Sequence, residues 1–148
     1  MSNPFDISRE TALHVRNHCL CLHAQRTARA LARRFDDAFR PLGLTNGQFS
    51  LMMALNRPEP PTMGSIAALL AMDRTTLTAA VKPLERRGLV EVTPGPRDRR
   101  RRVMTLTPSG RELLAKAVPV WMDAHADVER RLPAGGAGML RAGLDAVS

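Results

Sequence analysis

The sequence predicts a mostly α-helical chain with one small β-hairpin. Apolar residues recur at helical spacing along most of its length. The only short alternating runs flank one Pro-, Gly- and Arg-rich stretch. Thr, Asp, Pro and Gly fall where helices should start and stop. At 148 residues, 44% hydrophobic and 24% charged, the chain suits a single domain (1–148) and argues against disorder. Four Phe, one Trp and no Tyr leave a core built mainly of Leu, Val, Ala and Met.

Several classes are excluded at this level. No apolar run approaches the ~18 residues that span a bilayer, so no membrane partner is expected. The opening stretch MSNPFDISRE lacks a basic region followed by an apolar segment, so no secretory signal is expected. Two cysteines do not make a disulfide framework, and the expected compartment is a reducing cytoplasm.

The first element reads as one long helix over residues 8–40. Leu13, Leu20, Ala24, Ala28, Leu31, Phe35 and Ala38 form one stripe, Val15, Cys19 and Leu22 a second, and no Pro or Gly interrupts them. Two apolar faces exceed what a small monomer can cover, which suggests a second subunit. Pro41 and Gly43 end the helix. Thr45 and Gln48 then fit a capping box, with Leu44 and Phe49 as its hydrophobic staple, on a helix running to about Leu55. It is expected to bury Phe49, Met52 or Met53, and Leu55. Arg57-Pro58-Glu59-Pro60-Pro61 reads as a stiff surface linker.

Thr62 can cap a short helix, Met63 to Leu70, with Ile66, Leu69 and Leu70 as its apolar face. After a tight turn at Ala71-Met72, Asp73 can cap a helix from Arg74 to about Arg87. That helix buries Leu77, Val81 and Leu84 and ends at Gly88. Pro83 should cost it one hydrogen bond and kink it late. Leu89–Val92 and Val103–Thr107 alternate as strands, and the loop between them, TPGPRDRRRR, carries five Arg. Thr107 and Pro108 start a helix towards Leu132, bent at Pro119, and Pro133 opens a last helix weakened by Gly135, Gly136 and Gly138.

The net charge is +8, and residues 74–111 alone hold +7. Such a concentration favours a polyanionic partner over mere solubility. Twenty of the 22 basic residues are Arg, whose forked donors suit phosphate and guanine edges, although a high-GC genome gives the same bias.

A short helix, a tight turn, a longer helix ending in Gly and a basic-tipped hairpin make a winged helix-turn-helix, here over residues 44–107. Its second helix would enter the major groove by its N-terminal end, with Arg74, Thr75, Thr76 and Thr78 near the bases and Lys82 nearer phosphate. Wing residues Arg97, Asp98, Arg99, Arg100, Arg101 and Arg102 would enter a minor groove or neutralise phosphates beside it, with Asp98 orienting a neighbouring arginine.

These stretches carry a resemblance. Gly43-Leu44-Thr45 with Gln48-Phe49, the run LLAMDRTTLTAAVKPLERRGLV from Leu69 to Val90, and Asp98-Arg99-Arg100 leading to Leu106-Thr107 and Gly110 resemble the multiple-antibiotic-resistance repressor (MarR) family of transcription regulators. The likeness is detailed over about half the chain. It implies an obligate homodimer joined through N- and C-terminal helices (8–40 and 108–147) on a pseudo-palindromic double-stranded DNA operator. It also implies that Arg100 inserts into a groove with Asp98 as its structural partner, and that a small aromatic effector, or in one branch a peroxide, controls binding. No cofactor is implied. Phe35, Phe39, Met52 and Trp121 are candidates to line an effector pocket, against a plain reading as periodic core.

His14, His18, Cys19, Cys21 and His23 cluster within ten residues. Cys19 and Cys21 diverge on a helix and cannot readily pair. Cys21, or Cys19, could be a redox-sensing thiol in the manner of the peroxide branch, helped by Arg26 or Arg29. That branch, however, uses tyrosines which this chain replaces with Phe35 and Asn46. Inert thiols are the plain alternative. A metal site built from His14, His18 and Cys21 on one helical face is a third reading. No nucleotide-binding or phosphate-loop motif is present, so an enzyme is not expected. A winged helix that binds protein instead of DNA is a further alternative.

Overall fold

The computed structural model describes residues 5–148, and the first four residues, part of the opening stretch read for a signal, lie outside it. The elements run α1 (Arg9–His18), α2 (Leu20–Phe39), a 3-10 turn (Arg40–Leu42), α3 (Asn46–Leu55), α4 (Met63–Leu69), α5 (Arg74–Arg86), β1 (Val90–Pro94), β2 (Arg102–Leu106), α6 (Pro108–Glu129) and α7 (Gly136–Asp145).

The caps form where the side chains supply acceptors for the unpaired first-turn amides. Thr45 and Gln48 make the reciprocal capping box on α3. The Thr62 hydroxyl accepts from the Ser65 amide, the Asp73 carboxylate from Thr76 and the Thr107 hydroxyl from Gly110. Gly43 and Gly88 take positive φ (67° and 69°), as chain reversals after helices require.

The long first helix is divided. Cys19 adopts an extended backbone (φ −68°, ψ 109°), and its Sγ accepts the Leu22 amide, which makes it the N-cap of α2. Imidazoles flank the break: His18 Nδ1 bonds the His14 carbonyl and His23 Nδ1 bonds the Cys19 carbonyl, each at 2.8 Å. Side-chain groups on backbone carbonyls are a recognised cause of helix interruption. α1 buries nothing.

The core joins Phe35 and Phe39 of α2, Met52 and Leu55 of α3, Ile66 of α4, and Leu77, Val81 and Leu84 of α5. Met104 and Leu106 of β2 and Leu114 of α6 belong to it as well, as do Phe49 and Leu51 of α3. Met52 is the buried member of its pair, and Met53 is exposed. Leu69 departs from expectation. It is 57% exposed while Ala67 takes the buried place beside Ile66. α5 continues through Pro83 to Arg86, and the Pro83 carbonyl closes the last turn by accepting the Arg87 amide. α6 continues through Pro119 but ends at Glu129, short of Leu132, and α7 opens at Gly136 rather than Pro133.

β1 and β2 pair antiparallel, Val90 opposite Leu106 through Pro94 opposite Arg102. Arg102 thus lies in a strand and not in the loop. The Pro-rich linker contributes here as well: the buried Pro61 accepts the Met104 amide and Thr62 bridges Val103, so this segment flanks β2. At the other edge, α6 is seated on the hairpin base. The Thr107 hydroxyl donates to the Gly88 carbonyl (2.6 Å) and the Thr107 amide to Leu89. A β-carbon at Gly110 would overlap the Leu89 carbonyl oxygen. Among the described residues, no helix is long and apolar enough to cross a membrane.

Candidate nucleic-acid interface

α5 presents two faces. Leu77, Val81 and Leu84 hold it to the core, which leaves Arg74, Thr75, Thr78, Ala79, Lys82 and Arg86 around one open depression of about 450 Å³. Arg74, Thr78, Lys82 and Arg86 follow at i, i+4, i+8 and i+12, an oblique ridge that winds slowly round the outer side of the helix. Arg86 and Ala79 were not among the residues singled out from the sequence. Extending the four-residue spacing one turn beyond Lys82 finds Arg86.

The hydroxyls on this helix are not equivalent. Thr76 is committed to the cap, its amide and its hydroxyl both bonded to the Asp73 carboxylate (2.7 and 2.8 Å). Those bonds, the amide first, hold the Asp73 carboxyl below its ordinary range. Thr78 donates its hydroxyl to the Arg74 carbonyl (2.8 Å), leaving its oxygen lone pairs and methyl outward. No protein bond occupies the Thr75 hydroxyl among the described residues. Arg87, next to the ridge, is tied to the Gly43 carbonyl (2.7 Å) and so anchors α5 to the turn before α3.

The hairpin loop is short and ordered by its acid. Asp98 Oδ1 accepts the Arg100 amide (3.0 Å), the Arg101 amide donates to the Asp98 carbonyl, and Gly95 closes the base by donating to Arg101. The carboxylate therefore orders Arg100 through its backbone. Its nearest guanidinium contact is with Arg101, at 3.9 Å, rather than with Arg100. Expectation had the acid steering a side chain; here it shapes the turn that presents several.

Helix and wing meet at Arg74. A second cavity of about 620 Å³ is lined by Arg74, by Arg100, Arg101 and Arg102, and by Thr62, Met63, Gly64 and Ser65 from the start of α4. Arg74 borders both depressions, so the α5 ridge and the wing arginines open to one side of the molecule. No carboxylate lines either cavity. Arg97 and Arg99 lie on the exposed loop and line neither.

The other candidate residues lie elsewhere. Phe35, Phe39 and Met52 are core residues. Phe35, Phe39, Phe49, Trp121 and His125 close a ring of aromatic contacts with centroids 4.6–6.4 Å apart. Of the four pocket candidates, only Trp121 borders an open apolar groove, with Phe49, Met53, Leu69, Leu70 and Val118. Cys19 is half-buried at the helix break and Cys21 is exposed. His14 and His18 stack on α1 with centroids 4.3 Å apart, but the break at Cys19 removes the single helical face that would have joined them to Cys21. Among the described residues no group of three His, Cys, Asp or Glu side chains could hold a metal ion.

Residues 44–101 match the family model described as the MarR family. The transcriptional activatory protein BadR of Rhodopseudomonas palustris is 40% identical over 74 residues, 48% of this chain and 42% of BadR. The chain spans about half the length of the curated relatives it matches. The M. tuberculosis transcriptional regulator MosR in complex with DNA is 37% identical with a TM-score of 0.80, over 88% of this chain and 93% of that one. The transcriptional repressor CouR bound to a 23-mer DNA duplex is 26% identical with a TM-score of 0.81, over 96% and 98%. α5, β1 and the wing residues as far as Arg101 fall within the matched stretch, and the chain belongs to the MarR family.

Proposed function

We propose that this protein is a sequence-specific double-stranded DNA-binding transcriptional regulator, acting as a repressor that a small-molecule effector releases. The observation that carries the reading is Arg74 bordering both depressions. One unbroken cationic surface, with no carboxylate in its lining, then faces a duplex with the recognition helix and the wing together. The DNA-bound states of MosR and CouR support it. In this reading Thr75 and Thr78 meet base edges, Arg74 meets a base or the adjoining phosphate, and Lys82 and Arg86 meet backbone. Thr76 acts by holding the helix start. Arg97, Arg99, Arg100, Arg101 and Arg102 serve the wing, and Asp98 shapes it. The compartment of such a regulator is the cytoplasm.

The active species is a homodimer on a pseudo-palindromic operator, joined through α1, α2, the end of α6 and α7. Its support is unburied apolar surface on and next to those elements: Val15, Leu20, Met139, Leu144 and, just beyond α7, Val147 are 45–78% exposed. A small aromatic effector would enter the groove at Trp121, between the α3–α4 lobe and α6. Fluorescence anisotropy on the promoter DNA flanking the gene tests the central claim. The expected result is binding ~10³-fold or more tighter than to scrambled duplex, weakening steeply with salt. Equal affinity for both duplexes at every salt concentration would overturn it.

A further inference from the structure

The side of α5 that faces away from the core offers a narrow set of chemical groups. Arg74, Thr75, Thr78, Ala79, Lys82 and Arg86 line its depression, and no Asn, Gln, Asp or Glu stands among them. Glu85, the one acid of α5, is near the C-terminal end and lines neither depression. Adenine is gripped by side-chain amides and the cytosine amino group by carboxylates, so this face lacks the partners for both. Arg74 supplies the forked donor that suits guanine.

The rest of the leading turns is methyl surface. Thr75, Thr78 and Ala79 are exposed and stand at i, i+3 and i+4, so their methyl groups share one patch. The Thr78 hydroxyl gives its proton to the Arg74 carbonyl (2.8 Å), so its methyl and its lone pairs are what it shows to a partner. Ala79 sits between Thr75 and Lys82 on the outward face. A long side chain there would hold the helix off, whereas a methyl lets it approach to van der Waals distance.

We propose that Thr78 and Ala79 are specificity-determining residues that read thymine by its 5-methyl group. This rests on the reading of α5 as the major-groove helix, whose support is Arg74 joining its depression to that of the wing. In that groove the thymine methyl is the one apolar feature of the base edges. Each half-site then holds thymine beside the guanine that meets Arg74. Cytosine in the thymine position loses the methyl contact and finds no carboxylate for its amino group.

Anisotropy on the promoter duplex flanking the gene, prepared with thymine or with uracil throughout, tests this, because uracil lacks only that methyl. One buried methyl is worth about fourfold in affinity, so the parent should bind the uracil promoter at least about fourfold more weakly. A scrambled duplex should bind equally in its two forms. Thr78→Ser keeps the hydroxyl and loses only the methyl. It should weaken binding to the thymine promoter and shrink the thymine-to-uracil ratio, and Ala79→Gly should do the same. Circular dichroism checks that Ala79→Gly keeps its helix, and Thr78→Ser decides the matter if it does not. Equal binding of the thymine and uracil promoters, with preference over scrambled duplex retained, would overturn the proposal and leave the DNA-binding reading intact. An equal loss on the scrambled duplex would overturn it in favour of a change in duplex shape. An unchanged ratio in both variants would overturn it by giving the methyl to another residue. No preference for promoter over scrambled duplex in ordinary DNA would remove the underlying reading, and this proposal with it.

Discussion

Three threonines lie within five residues of Asp73, and their hydroxyls have different occupations. Thr76 is held in the cap by both its amide and its hydroxyl. Replacing it with Ala should lower stability by about 0.5–1 kcal/mol, the net worth of one hydrogen bond, and leave operator preference in place. Thr75→Ala should change the ranking of operator variants, read by anisotropy on a panel of single-base substitutions. Because the folded state holds the Asp73 carboxyl low, the stability it adds is present above the ordinary Asp pKa. That stability is lost as pH falls through the lowered value. Urea midpoints between about pH 5 and pH 2 should therefore fall more steeply for the parent than for Asp73→Asn, which keeps a capping oxygen that does not titrate. At the wing, Arg100→Ala should weaken binding to all duplexes and reduce the salt slope by about one unit.

At the scale of elements, local chemistry was legible wherever a side chain acts on its own neighbourhood. Thr45, Thr62, Asp73 and Thr107 each cap the helix expected of them, because a cap needs only one acceptor three residues before an amide. The break at Cys19 was not legible. No Pro or Gly marks it, and it depends on a thiol and two imidazoles finding backbone groups. Leu69 misled for a similar reason. Periodicity gives a face, but only packing decides that Ala67 turns inward in its place. Nor could the linker reveal that Pro61 pairs with Met104, since that contact joins residues more than forty positions apart. The Gly110 position combines both kinds of constraint. Its helix start is local, while its lack of a side chain is imposed by Leu89 across the hairpin base. Gly110→Ala should cost about 1–3 kcal/mol in urea unfolding, and Leu77→Ala about 2–5 kcal/mol through the cavity left in the core.

For the whole molecule, the charge map was the most legible property. The +7 stretch of residues 74–111 comes from α5 and the wing, and the fold gathers most of those bases on one side. A smaller excess over residues 1–40, seven Arg against four acids, was legible as well, but not that Asp36 and Asp37 turn to other partners and leave the α2 arginines uncompensated. Association is the property a single chain expresses least. Met139→Glu with Leu144→Glu should yield monomers in sedimentation velocity. Loss of the paired half-site contacts should then weaken operator binding by well over about tenfold.

The Thr107–Gly110 seat has a mechanical consequence. Three parts converge on Gly88 and Leu89: the end of the helix that reads, the foot of the hairpin, and the first turn of the 22-residue shaft that follows. With no slack loop between them, a tilt of the shaft carries the reading head round as a solid piece. In the proposed homodimer, the separation of two such heads would be set by the angle at which their shafts cross, and a change of a few degrees there would become, at the far end of the lever, a mismatch with the pitch of the duplex.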